Sequence, residues 1–314
     1  MSQYVLRKLL SSVLVLLGVS LAVFLILHLS PGDPARLLAG PEAYEEDIAL
    51  IRERLGLNDP LHVQYGRFLL GVVRLDLGTS FRTSRPVIQE IADRFPHTVE
   101  LAVASILWSL PVGVAIGVFA ATRPNSVGDG LSMGMALLGV SMPTFWLGLL
   151  LMLLFAYYLG WLPASGRGGS LLTWEGFRTI IMPALTLGSP AAAIFARITR
   201  SSMLQVLDLD YIRTARAKGL SERLVTYRHA LRNALIPVVT MAGLQFGSLL
   251  GGALVTEQVF AWPGIGTLLV NAIMSRDYPV VQGSILIIAA AFVLVNLMVD
   301  LIYSLIDPRI TYSD

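Results

Sequence analysis

Apolar residues recur along this chain in long runs, with none of the strict alternation that marks half-buried strands. Six runs approach the roughly twenty residues that, at about 1.5 Å each, cross a hydrocarbon core of about 30 Å. They are Leu9 to Leu29, Thr98 to Ala121, Leu131 to Tyr158, Ile180 to Ala196, Ala234 to Thr256 and Val280 to Ser304. The third is long and contains Pro143, so a kinked or tilted span is expected there, because proline removes a backbone hydrogen bond and clashes with the preceding turn. The fourth is the shortest. Between the first two runs, residues 31–97 are polar and rich in Gly, Pro and Asp. Here the pattern predicts helices from Glu42 to Leu55, from Pro60 to Arg74 and after Pro86.

Basic residues set an expected orientation. Arg7 and Lys8 precede the first run, Arg123 lies between the second and third, and eight Arg or Lys residues from Arg197 to Arg232 crowd the segment between the fourth and fifth. Such clusters stay on the cytoplasmic side, which predicts both termini inside and residues 31–97 outside. The expected organisation is 1–30 as N-terminus and first span, 31–97 as a small helical periplasmic insert, and 98–314 as a five-helix core. The first run is longer than a signal-peptide core and reads as an uncleaved span.

Composition agrees with a membrane chain. Of 314 residues, 55% are hydrophobic and 14% charged, and the mean hydropathy is +0.69, against roughly a quarter charged in soluble domains. The formal charge of +2 gives no footprint for nucleic acid, whereas lipid is an obligatory partner. Cysteine is absent, which excludes disulfide and thiolate chemistry.

The segment from Asp208 to Pro237 contains the sequence Tyr211-Ile-Arg-Thr-Ala-Arg-Ala-Lys-Gly219. Asp208 or Asp210 can cap a short helix, about 208–220, whose basic residues gather toward its C-terminus, and Gly219 is a natural stop. On it Ile212, Ala215 and Gly219 share a face on which another protein could approach closely. A positive-inside loop or a basic helix lying on anionic lipid fits the charge equally well.

The order of these residues resembles the coupling-helix signature of binding-protein-dependent ABC importer permeases, in the dipeptide, oligopeptide, nickel and glutathione branch. Two departures from the general pattern, Arg213-Thr214-Ala215 and the late Pro237, are shared with that branch. The resemblance runs nearly the whole length: Pro31-Gly-Asp-Pro-Ala35, Leu55-Gly-Leu57, Ser141-Met-Pro-Thr144, Thr199-Arg-Ser-Ser-Met203, Glu257-Gln-Val-Phe-Ala-Trp-Pro-Gly-Ile-Gly266, Arg276-Asp-Tyr-Pro-Val280 and Asp307-Pro-Arg309. It is closest to the first-permease type, glutathione- or dipeptide-permease-like. The resemblance implies an all-α, polytopic inner-membrane protein with the six-helix type I ABC importer fold. It implies a non-enzymatic subunit that passes short peptides inward while partners hydrolyse ATP, with nickel or another small solute as the alternative cargo. The implied partners are a paralogous second permease, two ABC ATPase subunits that bind ATP and Mg²⁺, and an extracytoplasmic solute-binding protein. ATPase coupling would fall to Tyr211, Ile212, Arg213, Ala215, Lys218, Gly219 and Leu220. The residues themselves agree that nucleotide binds elsewhere: Lys8 and Lys218 are the only lysines, and neither sits in a phosphate-binding loop.

Several further positions invite a reading. Ser141, Thr144, Gln245, Ser248 and Asn296 could line a path for a hydrated peptide, or make ordinary interhelical hydrogen bonds. Trp262, Pro263, Gly264, Arg276, Asp277 and Tyr278 are expected to form an outer mouth between the last two spans. Gly243, Gly247 and Gly251 form a small-residue ladder, a static packing seam or a sliding one. Gly130-Leu-Ser132-Met-Gly134 matches a nucleophile elbow by chance, since it lacks the preceding strand. The four histidines form no metal-binding motif. An ion-coupled carrier would need acids deep in the bundle, yet Glu100 and Asp300 sit toward the ends of their runs. An intramembrane serine hydrolase would need a histidine at depth, and only His28 comes near.

Overall fold

A computed structural model describes residues 2–29, 33–40 and 43–306. Pro31, Gly32, Glu42 and the Asp307-Pro-Arg309 motif lie outside the described residues. The described chain is helical: α1 (Ser2–Leu29), α2 (Pro34–Ala39), α3 (Glu45–Arg54), α4 (Leu61–Val73), α5 (Val87–Ala121), α6 (Val127–Ser141), α7 (Thr144–Leu151), α8 (Trp174–Leu207), α9 (Asp210–Ala217), α10 (Glu222–Leu224), α11 (Leu231–Val259), α12 (Ile265–Met274) and α13 (Tyr278–Ile306). Wide turns continue α7 through Met152–Tyr158 and join α10 to α11 through Val225–Ala230. Two compact units emerge, one of Met1–Pro96 with Gly264–Val293, the other of His97–Pro263 with Leu294–Asp314.

In the first unit α1 is an apolar rod whose surface is mostly uncovered. Ser20 Oγ lies 2.9 Å from Tyr65 Oη of α4, and the Phe24 ring packs beside Tyr65 and Phe68. Helix α2 starts where Pro34 follows Asp33, whose carboxylate accepts the Ala35 amide at 3.0 Å. Ion pairs Arg52–Asp33, Arg36–Glu45 and Arg67–Asp59 tie the short helices together. The helix expected after Pro86 belongs to no separate insert element. It is the first part of α5, which runs unbroken for 35 residues through Pro96.

The second unit is built on α8. The fourth run reads as the shortest span, but α8 is 34 residues long and keeps its helix through Pro183 and Pro190. The α8 stretch is 72% buried against 17% for α1, because α6, α7 and α11 all pack on it. Glycines on α5 allow close approach: a Cβ at Gly117 would fall 2.5 Å from Thr199 Cβ, and one at Gly113 would fall 2.6 Å from the Ala192 carbonyl.

Pro143 does more than kink the third span. The chain bends by 105° between α6 and α7. Two ion pairs show that the broken pair still makes one crossing. At its start Asp129 holds Arg200 through two bonds of 2.6 Å. Beyond its end, Arg167 forks onto Glu100 with both bonds at 3.1 Å. Glu100 and the C-terminus of α5, from which the chain leads into α6, are about 32 Å apart along that helix, so the two pairs close opposite ends of the bundle. With the bent pair counted as one span, six crossings are present among the described residues.

Candidate functional site: the coupling segment and its levers

Helix α9 covers eight residues, inside the expected 208–220. Neither aspartate caps it: Leu209 occupies the cap position without a side-chain bond, Asp208 ends α8, and Asp210 sits in the first turn, 3.5 Å from Arg213. There the carboxylate suits the helix dipole as well as a cap does. Lys218 closes the helix, and Gly219 adopts φ +78°, a left-handed conformation that only glycine takes freely.

The sequence suggests Ile212, Ala215 and Gly219 as the surface another protein would touch. The structure reverses this for two of them. Ile212 is fully buried and Ala215 nearly so, both inside a cluster with Val118 and Ala121 of α5, Met203 of α8, Val225 and Ala230 of the wide turn, and Ala234 of α11. The apolar face of α9 is thus consumed by its own chain. Tyr211, Arg213, Thr214, Arg216, Ala217, Lys218 and Gly219 face outward, and Leu220 is half-buried.

Polar bonds make α9 rigid against its neighbours. Tyr211 Oη accepts from Asn233 Nδ2 at 2.8 Å and donates to the His229 carbonyl at 3.3 Å. Arg216 forks onto Glu222 at 2.8 and 3.3 Å. These bonds tie α9 to α10, to the wide turn after it and to the start of α11.

The positions read as path-lining are spread over four helices. Ser141 and Ser248 are exposed, Thr144, Gln245 and Asn296 half-buried, and the Asn296 Oδ1 atom is buried without a bond. The expected outer mouth holds tightly packed groups. Trp262 is fully buried and donates Nε1–H to the His97 carbonyl at 2.9 Å. Asp277, 4% exposed, takes the Ser80 hydroxyl and the Phe81 and Arg82 amides, the latter two at 3.1 and 3.3 Å. Arg276, with φ +56°, and Tyr278 flank it, and Arg276 is exposed. The glycine ladder is not one seam: Gly243 faces Val299, whereas Gly251 and Gly252 have open space beside them.

Two ion pairs that the sequence pattern does not reveal brace opposite ends of this unit. Asp129 is 4% exposed and also accepts the Asn125 amide at 3.0 Å. Its partner lies 71 residues away, a pairing that no local pattern reveals. Arg167 and Glu100 are 67 residues apart.

Comparison with known proteins agrees with this architecture. Residues 113–312 match the family model of the binding-protein-dependent transport system inner membrane component, and residues 1–102 match the N-terminal model of the same systems. The glutathione transport system permease protein GsiC of Salmonella typhimurium strain LT2 is 51% identical over 313 residues, covering all of both chains. The dipeptide transport system permease protein DppB of Alkalihalophilus pseudofirmus is 48% identical over 333 residues, covering 99% of this chain and all of its own. Among solved structures, a chain of the MetNI methionine ABC transporter, in inward-facing conformations, superposes with a TM-score of 0.58 at 17% identity, over 70% of this chain and 97% of its own. That similarity places the chain in the same fold. Up to six apolar spans with family matches along both halves leave one assignment: the chain belongs to the family of binding-protein-dependent transport system inner membrane components, the permease subunits of ABC importers.

Proposed function

We propose that this permease carries short peptides of the dipeptide and glutathione class into the cytoplasm. The carrying observation is full-length identity of about one half to both a glutathione and a dipeptide permease. It works beside a second, paralogous permease, receives cargo from an extracytoplasmic binding protein, and is driven by two ATPase subunits that hold ATP and Mg²⁺. Both termini and α9 face the cytoplasm, in keeping with the basic loops, and residues 31–97 form a small helical insert on the outside, ahead of the five-helix remainder in the chain.

Coupling follows from the packing of α9. Its outward side, with Arg213, Thr214, Ala217, Lys218 and the exposed backbone at Gly219, seats on an ATPase subunit. Closure of the ATPase pair then displaces α9, and its buried anchor at Ile212 and Ala215 moves α8 and α11 as levers of alternating access. Residues Trp262 to Gly264 and residues Arg276 to Tyr278 each lie toward the outside, the first stretch held by the Trp262 bond to His97 and the second by the Asp277 bonds to residues 80–82.

Cargo is tested on the cognate binding protein and the assembled complex. The binding protein should carry a short peptide or glutathione, and labelled glutathione or dipeptide should accumulate in vesicles only when ATP is supplied. Binding of free nickel with no peptide uptake overturns the peptide assignment.

A further inference from the structure

The break between α6 and α7 creates a problem that lipid cannot solve. Each leg is 15 residues, counting the wide turn that extends α7, or about 22 Å long. Bent by 105°, the pair spans about 27 Å end to end and its corner stands about 17 Å to one side of that line. The corner, Ser141-Met-Pro-Thr144, therefore sits near mid-depth of the crossing. Backbone groups are unpaired there. The first bond of α7 is Leu147 N–H to the Pro143 carbonyl, so the amides of Thr144, Phe145 and Trp146 have no intrahelical acceptor. No side chain caps the start of α7. On the other leg, the Gly139 carbonyl faces the position where proline has no N–H to give.

Unpaired amides and carbonyls cost several kcal/mol each in hydrocarbon, so irregular backbone at membrane depth persists only in protein or beside water. The surface of the bundle matches this distinction. Along the legs the exposed side chains are mostly apolar, among them Leu131, Met135, Leu137 and Leu138 on α6 and Leu149 and Leu153 beyond the corner, with Tyr157 and Tyr158 exposed at the far end. At the corner Val140, Ser141, Pro143, Phe145 and Trp146 are all exposed, so the polar break in the apolar surface is Ser141 with the unpaired backbone beside it. Legs α6 and α7 use α8 and α11 as their internal support, leaving the corner itself open.

We infer that the Ser141–Thr144 corner projects into the water-filled route of the importer, where water satisfies its backbone and passing cargo meets Ser141 and Thr144. This rests on the import reading above and adds which part of the third span borders the route. Water is the occupant favoured here because it can serve donors and acceptors at once, whereas a dry protein surface would need several matched groups.

The chain has no cysteine, so single thiols report cleanly. In the assembled complex, Ser141→Cys and Thr144→Cys are exposed to a charged methanethiosulfonate, with Leu137→Cys as the reference for the leg surface and modification read on this subunit by mass. Only an ionised, hydrated thiol reacts quickly with such a reagent. The expected result is modification of either corner variant at least tenfold faster than Leu137→Cys. Two results overturn the inference. Corner thiols that resist the charged reagent but take a lipid-soluble maleimide are covered by lipid, and corner thiols that resist both are sealed under another subunit. Labelling requires water alone, so absence of peptide uptake with fast corner labelling defeats the cargo assignment and leaves the corner's placement intact.

Discussion

Asp277 shows how one side chain can organise a loop 195 to 197 residues earlier in the chain. Its buried carboxylate takes the Ser80 hydroxyl and two consecutive amides, while Ser80 Oγ in turn accepts from Arg82 and Thr83. Asp277→Ala leaves these donors without an acceptor, at about 1–3 kcal/mol for each one that stays buried. Asp277→Asn retains one carbonyl oxygen. Trypsin should therefore cut the solubilised complex after Arg82 several times faster in the alanine variant, with the asparagine variant in between. Equal rates in all three proteins would show that the carboxylate does not hold the loop. Read from sequence, Asp277 resembles a mouth residue awaiting cargo. Its burial is set by residues 79–86, and nothing in the neighbourhood of position 277 encodes that contact.

At the scale of elements, the spans were legible because the bilayer sets their length: each apolar run contains a crossing, and the stop at Gly219 falls where a left-handed residue is required. What escaped was set by tertiary contact. Proline and length announce a distortion at Pro143, but the angle depends on anchors at Asp129 and Arg167, whose partners are far away in the chain. Periodicity likewise groups Ile212 with Ala215 without saying whether that face meets a partner or the chain's own core. The structure separates a buried and an exposed face of α9, and substitutions on the two should differ in effect. Ile212→Ala opens a cavity in the cluster and should cost about 2–5 kcal/mol, lowering the melting temperature of the purified complex. Ala217→Trp, on the exposed side, should leave melting unchanged while abolishing stimulated ATPase activity and uptake. If Ala217→Trp transports normally, docking occurs on another surface. Gly219 is a poorer test position, since any side chain there strains the backbone at φ +78° whether or not a partner docks.

At the scale of the molecule, the unit of His97–Pro263 with Leu294–Asp314 carries one ion pair at the start of α6 and another beyond the end of the α7 leg, and its short helix α9 buries Ile212 and Ala215 against α8 and α11. Family membership was readable from ordered motifs spread over the full length, and comparison with relatives extends it to both halves of the chain. Cargo identity was less so, because glutathione and dipeptide permeases match almost equally well. The central claim is mechanical: α9 receives motion from a separate nucleotide-driven subunit and passes it to α8 and α11. Its most direct measurement compares liposomes holding the complete complex with liposomes holding this chain alone, each given binding protein, labelled peptide and internal or external ATP. The account predicts accumulation against a gradient only in the complete complex with ATP on the α9 side, lost in the Ala217→Trp complex. Uphill accumulation by the isolated chain on an ion gradient would contradict it.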